Sequence, residues 1–545
     1  MSPLEFGGDM DRPLAKKVSA GEALLLGCSL ASLVLSCLLW SSHKQAWMDE
    51  IFTWKEVSDH SLFHLYYAIR HGADGGMPLF YTTAWLWAKV FGTGILTLRL
   101  YSCVAMCGAL LITWRTIRRF NGTWATSFGV LTIWGTSALL LNQNAEARFY
   151  GLYMLTVAIA VNIYARVITQ AAPAPRLLVA TFLCQAALVS SHVLGAVYGG
   201  LILLAIILFD VRKHRRRFKL YFWHAAGWLA LLLWVPAIRA SMAASRPRPW
   251  IEMPAVRNLL TAYLFQSSTF SDLKAPSHNL LYMIVLCAAV LVVFVPLVSV
   301  FLLESGRSLD LHKRSDPNAL LLVAYALLSA PLVLFVLSRL ITPVFVPRYF
   351  LPSSIGLAIV LAGFASALGA DAGNKPSVMW VSIVLFLMVS PILSALASRI
   401  VNTETPYLDV QRLERVVPSN TAVVVSWAND FTKAMRYSHN PLVHYYFLLD
   451  WPSALVGPRG MVLHYHLLQA YRDNGYYPEN IEESHRFLCS HPDFLLLDSK
   501  EESWFDLTIR RMPQFEWAVI DTFDAPDWKR SLIAVHRKSQ VAFCN

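Results

Sequence analysis

The sequence predicts a mainly α-helical, polytopic membrane protein with a smaller α/β domain at its C-terminal end. Three observations carry that expectation. Hydrophobic residues make up 56% of the chain and charged ones 15%, with a mean hydropathy of +0.47, a balance foreign to soluble domains. Apolar runs of about twenty residues, the length that crosses a bilayer, recur between residues 23 and 397. Near residue 400 the pattern changes to short apolar strands alternating with amphipathic stretches. The net charge of +11 fits basic cytoplasmic loops and gives no reason to expect a nucleic-acid partner.

The elements follow in order. Residues 1–19 form a polar tail whose Arg12, Lys16 and Lys17 place the N-terminus in the cytoplasm. Ala23–Trp40 is the first span. It is too long for a leader and lacks a small-residue cleavage site, so it reads as a retained anchor. It delivers Trp47-Met48-Asp49-Glu50 to the outer face. Residues 42–94 are too polar for one span and form the first outer loop. Within it, Met77 to Phe91 is short and aromatic, which suits a helix lying in the interface. Ile95–Trp114 returns to Arg115, Arg118 and Arg119. Thr123–Leu141 crosses outward again and presents Asn142 to Tyr150 on the side of Asp49. Residues 151–168 go back in.

Residues 177–210 would span about 50 Å as one helix, against about 30 Å of hydrocarbon. They therefore cross twice, turning at Ser190-Ser191-His192. That returns the strongest basic run, Arg212 to Arg217 with Lys219, to the cytoplasm. Residues 221–238, 280–302, 319–338, 350–368 and 378–397 supply five more spans. Outer loop 241–278 lies among them, as do inner turns at Arg307, Lys313 and Arg314 and at 371–375. Eleven spans is an odd number, so residues 400–545 lie outside. Their strands are Thr421–Trp427, Val443–Leu449, Asp493–Asp498, Trp517–Thr522 and Ser531–His536, ending in a hairpin. The organisation is thus a membrane domain over 1–399 and an outer α/β domain over 400–545.

The eight cysteines show no metal-ligand spacing. Cys103 and Cys107, one turn apart in an apolar helix, read as core packing. Cys489 and Cys544 fall in the outer domain, where an oxidising compartment would let them pair; two free thiols are the other reading.

Three outward elements keep charges that an apolar protein has little reason to hold: Asp49-Glu50, Glu146 with Arg148, and Arg348. A charge within hydrocarbon costs about 3 kcal/mol or more, so these groups reach water or line a polar cavity. All fall on one side of the membrane. The bland alternatives are a solvated turn at Asp49-Glu50, a Glu146–Arg148 pair, and interface arginines at 148 and 348. Tyr150 and Tyr349 fit an aromatic belt, and His192 fits a polar helix turn.

The order of these stretches narrows the choice. Trp-x-Asp-Glu follows the first span, then come Pro78-Leu79-Phe80-Tyr81, Glu146-Ala147-Arg148-Phe149-Tyr150-Gly151-Leu152, Ser191-His192 and Pro347-Arg348-Tyr349-Phe350-Leu351-Pro352. Over about residues 20–370 the chain resembles the C-type superfamily of membrane glycosyltransferases. It is most similar to the bacterial branch related to protein O-mannosyltransferases and aminoarabinose transferases. The resemblance implies transfer of a sugar from a polyprenyl-phosphate donor on the outer face of a bacterial inner membrane, with the site and the C-terminal domain facing the periplasm. The acceptor would be a protein, glycan or lipid.

Asp49 matches the acidic residue that deprotonates or orients the acceptor, with Glu50 in support, and Glu146 matches the second acidic residue. Arg348, and with it Arg148, would hold the lipid phosphate. Tyr150, His192 and Tyr349 would complete the substrate site. Many relatives carry His-Pro-Pro-Leu where this chain reads Gly76-Met77-Pro78-Leu79, so His71 is the candidate to take over that histidine's contact. Acidic oxygens here are also candidate ligands for a divalent cation. The chemistry fits: attack at an anomeric carbon that expels a lipid phosphate needs a base for the acceptor and cations for the phosphate. The competing classes are a transporter or flippase for lipid-linked sugars, which would carry internal repeats with broken helices, and a non-catalytic sugar-lipid binder.

Overall fold

A computed structural model describes residues 19–267, 317–371, 377–401, 407–525 and 528–538. The N-terminal tail, the expected span 280–302, the inner loop with Arg307, Lys313 and Arg314, and Cys544 lie outside the described residues.

The membrane part begins with α1 (Ala20–Ser41), opened by the Ser19 side chain, which accepts a hydrogen bond from the Glu22 amide. The first outer loop then folds into α2 (Met48–Val57), α3 (Leu62–Arg70) and α4 (Pro78–Phe91). The last matches the expected interfacial helix, with Pro78 in its first turn, where no amide partner is needed. There follow α5 (Ile95–Ile117), α6 (Thr123–Thr136), α7 (Ala138–Asn144), α8 (Tyr150–Val167), α9 (Pro175–Ser191) and α10 (Gly195–Arg212).

Among the described residues seven helices are long and apolar enough to cross a membrane: α1, α5, α8, α10, Phe218–Ala244, Ala319–Leu340 and Val378–Arg399. The α6–α7 pair passes as an eighth, and α9 and Ser353–Ala367 are shorter apolar helices. These fall at positions read from the sequence, and 177–210 divides into two helices, α9 and α10, at Ser191-His192. The expected outward stretch Thr123–Leu141 is bent, breaking by 70° after Thr136. At that break Gly135 lies against the helix Val378–Val401. A side-chain Cβ there would come within 2.3 Å of the Leu387 carbonyl, and Ser390 Oγ donates to the Gly135 carbonyl at 2.6 Å. Ser137 then caps a new helix, accepting from the Leu140 amide. Asn144 fixes the far end by donating to the Leu33 carbonyl at 3.1 Å.

Residues 407–538 form the expected α/β domain. Its sheet has the order β3-β2-β1-β4-β6-β5, from β1 (Thr421–Val425), β2 (Val443–Leu449), β3 (Ile481–Glu483), β4 (Asp493–Ser499), β5 (Phe515–Ala525) and β6 (Trp528–Arg537). The first four run parallel and the β5–β6 hairpin is antiparallel. The three-residue β3 is too short to show a period, which is why the sequence did not reveal it. Cys489 is disulfide-bonded.

The outer loop and this domain share one core. Met48, Phe52, Ala68 and Ala73 are buried with Leu408, Phe431, Leu468 and Tyr471. Residue 400 therefore marks a change of architecture, and the apolar packing continues across it.

Candidate active site

The α2 start is built around Glu50. Its Oε2 accepts from the Trp47 amide at 3.0 Å, closing a cap across the first turn. Its two oxygens also take the Arg99 Nε and Nη2 hydrogens, each at 2.8 Å, and Oε1 accepts from the Ala147 amide at 2.9 Å. Arg99 continues to the carbonyls of Lys44 and Gln45 at 3.0 and 3.3 Å. Burial pushes the Glu50 carboxyl up, but the Arg99 charge and hydrogen bonds outweigh it and bring it down to about 2. Glu50 thus knots α2, α5 and the Ala147 segment together and presents no free oxygen outward.

Asp49, next in sequence, points the other way. Its Oδ2 lies 3.9 Å from Arg348 Nη2, and the two side chains are 23% and 27% exposed. Arg348 stands in the turn Pro347–Phe350, with its guanidinium 6.0 Å from the Tyr150 ring and 5.8 Å from that of Trp250. Its Nε is buried without a partner among the described residues. Burial opposes its charge, yet Tyr150 and Asp49 around it carry its pKa upward, so it stays cationic.

Arg148 grips the same helix turn from behind. Its Nη1 donates to the Asp49 carbonyl at 3.2 Å, Thr53 Oγ1 at 3.0 Å and Asp74 Oδ2 at 2.9 Å. Asp74 is held in turn by the Tyr81 hydroxyl and the Gly75 amide. Glu146 is 7% exposed, and its Oε2 has no partner among the described residues. Burial raises its pKa against the pull of Lys44, so it holds its proton to higher pH than an ordinary glutamate.

Behind Arg348 stands an aromatic wall. The His192 ring lies 4.9 Å from Phe149, 4.7 Å from Tyr153 and 5.3 Å from Tyr349, with Tyr150 at its edge. Its Nδ1 accepts from the Leu194 amide at 3.1 Å. Burial, then Arg148 and Arg348, push its pKa down to about 3, which leaves it neutral.

The structure thus gathers Asp49, Glu146, Arg148, Arg348, Tyr150, His192 and Tyr349. It does not bring His71 to them. His71 ends α3 with its ring stacked on Tyr67 at 4.1 Å and its Nδ1 on the Tyr67 carbonyl at 2.7 Å. The place of the absent histidine is filled: a Cβ on Gly76 would fall 2.3 Å from the Tyr81 ring. Sequence reasoning missed Asp74, Arg99 and Tyr81. Arg99 left a signal, a lone cation near the start of an apolar span, which needs a buried anion; the other two left none. Among the described residues no three His, Cys, Asp or Glu side chains converge as metal ligands.

No family model matches the chain, and no curated protein matches it in sequence. Solved structures do. ArnT from Cupriavidus metallidurans bound to undecaprenyl phosphate superposes with a TM-score of 0.53 at 12% identity, over 95% of this chain and 98% of that one. Its apo form gives 0.50 over the same shares at the same identity. An oligosaccharyltransferase from Archaeoglobus fulgidus, at 12% identity over 79% of this chain and 65% of that one, reaches 0.38. The near end-to-end match with ArnT takes in both the membrane helices and the outer α/β domain, and the chain therefore has the fold of the C-type membrane glycosyltransferases.

Proposed function

We propose that this protein is a glycosyltransferase that moves a sugar from a polyprenyl-phosphate-linked donor to an acceptor on the extracytoplasmic face of the membrane. The observation that carries the reading is the Asp49–Arg348 pair, partly open and 3.9 Å apart. A carboxylate and a cation that meet at one partly open place supply the two needs of the reaction, a base for the acceptor and a charge for the phosphate. Asp49 takes the acceptor proton as the acceptor attacks. The bond from that carbon to the phosphate oxygen breaks, and its electron pair leaves with the lipid phosphate, which Arg348 holds. The unpartnered Nε of Arg348 is a further donor for that phosphate.

Glu146 and Asp49 divide the work of two carboxyls. Glu146, buried and inclined to keep its proton, donates a hydrogen bond; Asp49, at the opening, accepts the proton. Arg148 serves Asp49, because its hydrogen bonds fix the Asp49 carbonyl. Glu50 supports Asp49 from behind, through its pair with Arg99. Tyr150, His192 and Tyr349 form the rigid wall that aims Arg348.

Purified protein should carry a lipid-phosphate sugar whose mass names the donor. That donor, labelled, should lose its sugar to an acceptor in reconstituted membranes. Movement of intact donor across the bilayer without transfer would instead support a flippase. The outward, periplasmic orientation rests on the basic ends of α5 and α10, which lie at the far ends of their spans from Asp49. Reporter fusions at residue 545 should read as exported.

A further inference from the structure

The outer loop after the helix Val235–Ala244 reads Arg246-Pro247-Arg248-Pro249-Trp250-Ile251-Glu252-Met253-Pro254. Each proline fixes its own φ and holds the residue before it extended, so the segment is a stiff strap. Both of its roots are held. On the near side, a Cβ on Gly72 would lie 3.8 Å from that of Ala240 and 3.9 Å from that of Ala470. The helix Val235–Ala244 therefore packs against the first outer loop and against the helix Met461–Asp473 of the C-terminal domain. On the far side, the helix Val256–Ser267 buries Ala262 with Leu334 and Phe350, and Phe350 belongs to the turn that carries Arg348.

Between the roots the strap is pinned to the C-terminal domain. Arg248 Nη1 donates to the carbonyls of Leu455 and Gly457 at 2.9 and 2.6 Å. These carbonyls close the helix Trp451–Val456, at the end where a helix leaves its acceptors without internal partners. A second tie, from Arg459 to Glu252 at 3.6 Å, joins side chains 56% and 76% exposed, and a pair so open to water contributes little. Arg248 is therefore the pin. Two residues on, the Trp250 ring meets the Arg348 guanidinium at 5.8 Å, and the Tyr150 ring meets it at 6.0 Å. Tyr150 is buried at the start of α8, whereas Trp250 stands where the strap carries it. Asp49, 3.9 Å from Arg348, is too far to orient the guanidinium by a hydrogen bond. Aromatic rings attract a guanidinium through their faces and leave its N–H edge free for an anion. The Nε of Arg348, buried and unpartnered among the described residues, lies on that edge.

We propose that Trp250 is a positioning residue of the donor site, holding Arg348 with its N–H edge toward the lipid phosphate, and that the C-terminal domain sets donor affinity through the Arg248 pin. Trp250 acts through Arg348 and needs no contact with the phosphate. Arg248 acts one step further back, by keeping the indole in place. The C-terminal domain then takes part in donor binding without lending a residue to the phosphate.

The proposal rests on the reading of Arg348 as the phosphate ligand, and one set of titrations separates the two. The full-length protein in nanodiscs is titrated with undecaprenyl phosphate and with undecaprenol, which has the same tail and no phosphate. The parent should bind the phosphate lipid more tightly, and Arg348→Ala should erase the difference. Trp250→Ala should weaken undecaprenyl phosphate binding about fivefold, the effect of one cation–π contact, and leave undecaprenol binding within about twofold. Trp250→Phe, which keeps an aromatic face, should recover part of the loss. Arg248→Ala should move the same affinity in the same direction, although its own bonds go to the C-terminal domain. Melting temperatures identify any variant that fails to fold. Where Trp250→Ala does not fold, Arg248→Ala decides, and unchanged affinity for undecaprenyl phosphate there overturns the proposal. Unchanged affinity in folded Trp250→Ala, or an equal loss for both lipids, overturns the positioning role alone. A parent that binds the two lipids equally overturns the phosphate reading and this one with it.

Discussion

Glu50→Gln is the substitution whose effect the structure most sharply redefines. Beside Asp49 in sequence, it reads as a mild change to a supporting carboxylate. In the fold it strips the charge from a pair whose members are 0% and 1% exposed. The Arg99 guanidinium then stays buried without its anion, a defect worth roughly 3–5 kcal/mol. The carboxyl's own titration gives the same scale. A shift from 4.5 to about 2 corresponds to about 3 kcal/mol. Because the folded value is depressed, that stability is present above pH 4.5 and lost as pH falls toward 2. The variant should melt about 3–5 °C lower and lack that acid limb. Arg99→Met should destabilise comparably, and the double variant should recover roughly 2 kcal/mol of the summed loss, since neither charge is then stranded. A thiol-reactive fluorophore during heating suits the measurement, because buried Cys37, Cys103 and Cys184 are free reporters. A melting temperature in Glu50→Gln within a degree of the parent, with additive single and double effects, would refute the knot.

Three further outcomes follow from the same geometry. Asp49→Asn should lower transfer about 10²- to 10⁴-fold while donor affinity holds; transfer near the parent rate returns Asp49 to a solvated turn. Arg348→Ala should weaken binding of the lipid-phosphate donor about tenfold or more, by loss of a charge-assisted hydrogen bond, with Arg348→Lys in between; equal affinities in all three remove the phosphate role. Glu56 is fully buried with Oε2 unpartnered among the described residues, and burial, then Asp74, raise its pKa. Stability from its protonated form is present below pH 4.5 and lost as pH rises toward the folded value. Glu56→Gln should therefore flatten the decline in melting temperature above pH 5, and an unchanged slope would count against it.

The spans were legible because hydrocarbon imposes length and composition on each stretch separately. Asp49, Glu146 and Arg348 stood out because charge beside apolar helices is conspicuous, and the fold brings them together. What each of them touches was not legible. Glu50 and Asp49 are adjacent and chemically alike, yet one faces Arg99 and the other Arg348, a difference set by the direction of one helix turn. Arg148 was placed on the phosphate because an arginine's partner is fixed by tertiary contact; Asp74, 74 residues away, holds it.

The core shared between Phe52 and Tyr471 also sets a timetable. Glu56 and its partner Tyr471 are 415 residues apart. At about 5–20 residues per second of synthesis, α2 waits roughly 20–80 s after it emerges before the surface that buries Phe52 exists. During that interval Phe52 and Glu56 lack the cover that Tyr471 gives them in the finished fold. A chain that stops before residue 461 inserts its early helices but leaves that face of α2 bare. The last quarter of the polypeptide thus acts as a completion signal: that face of α2 is covered only once the helix Met461–Asp473 has been made and has docked.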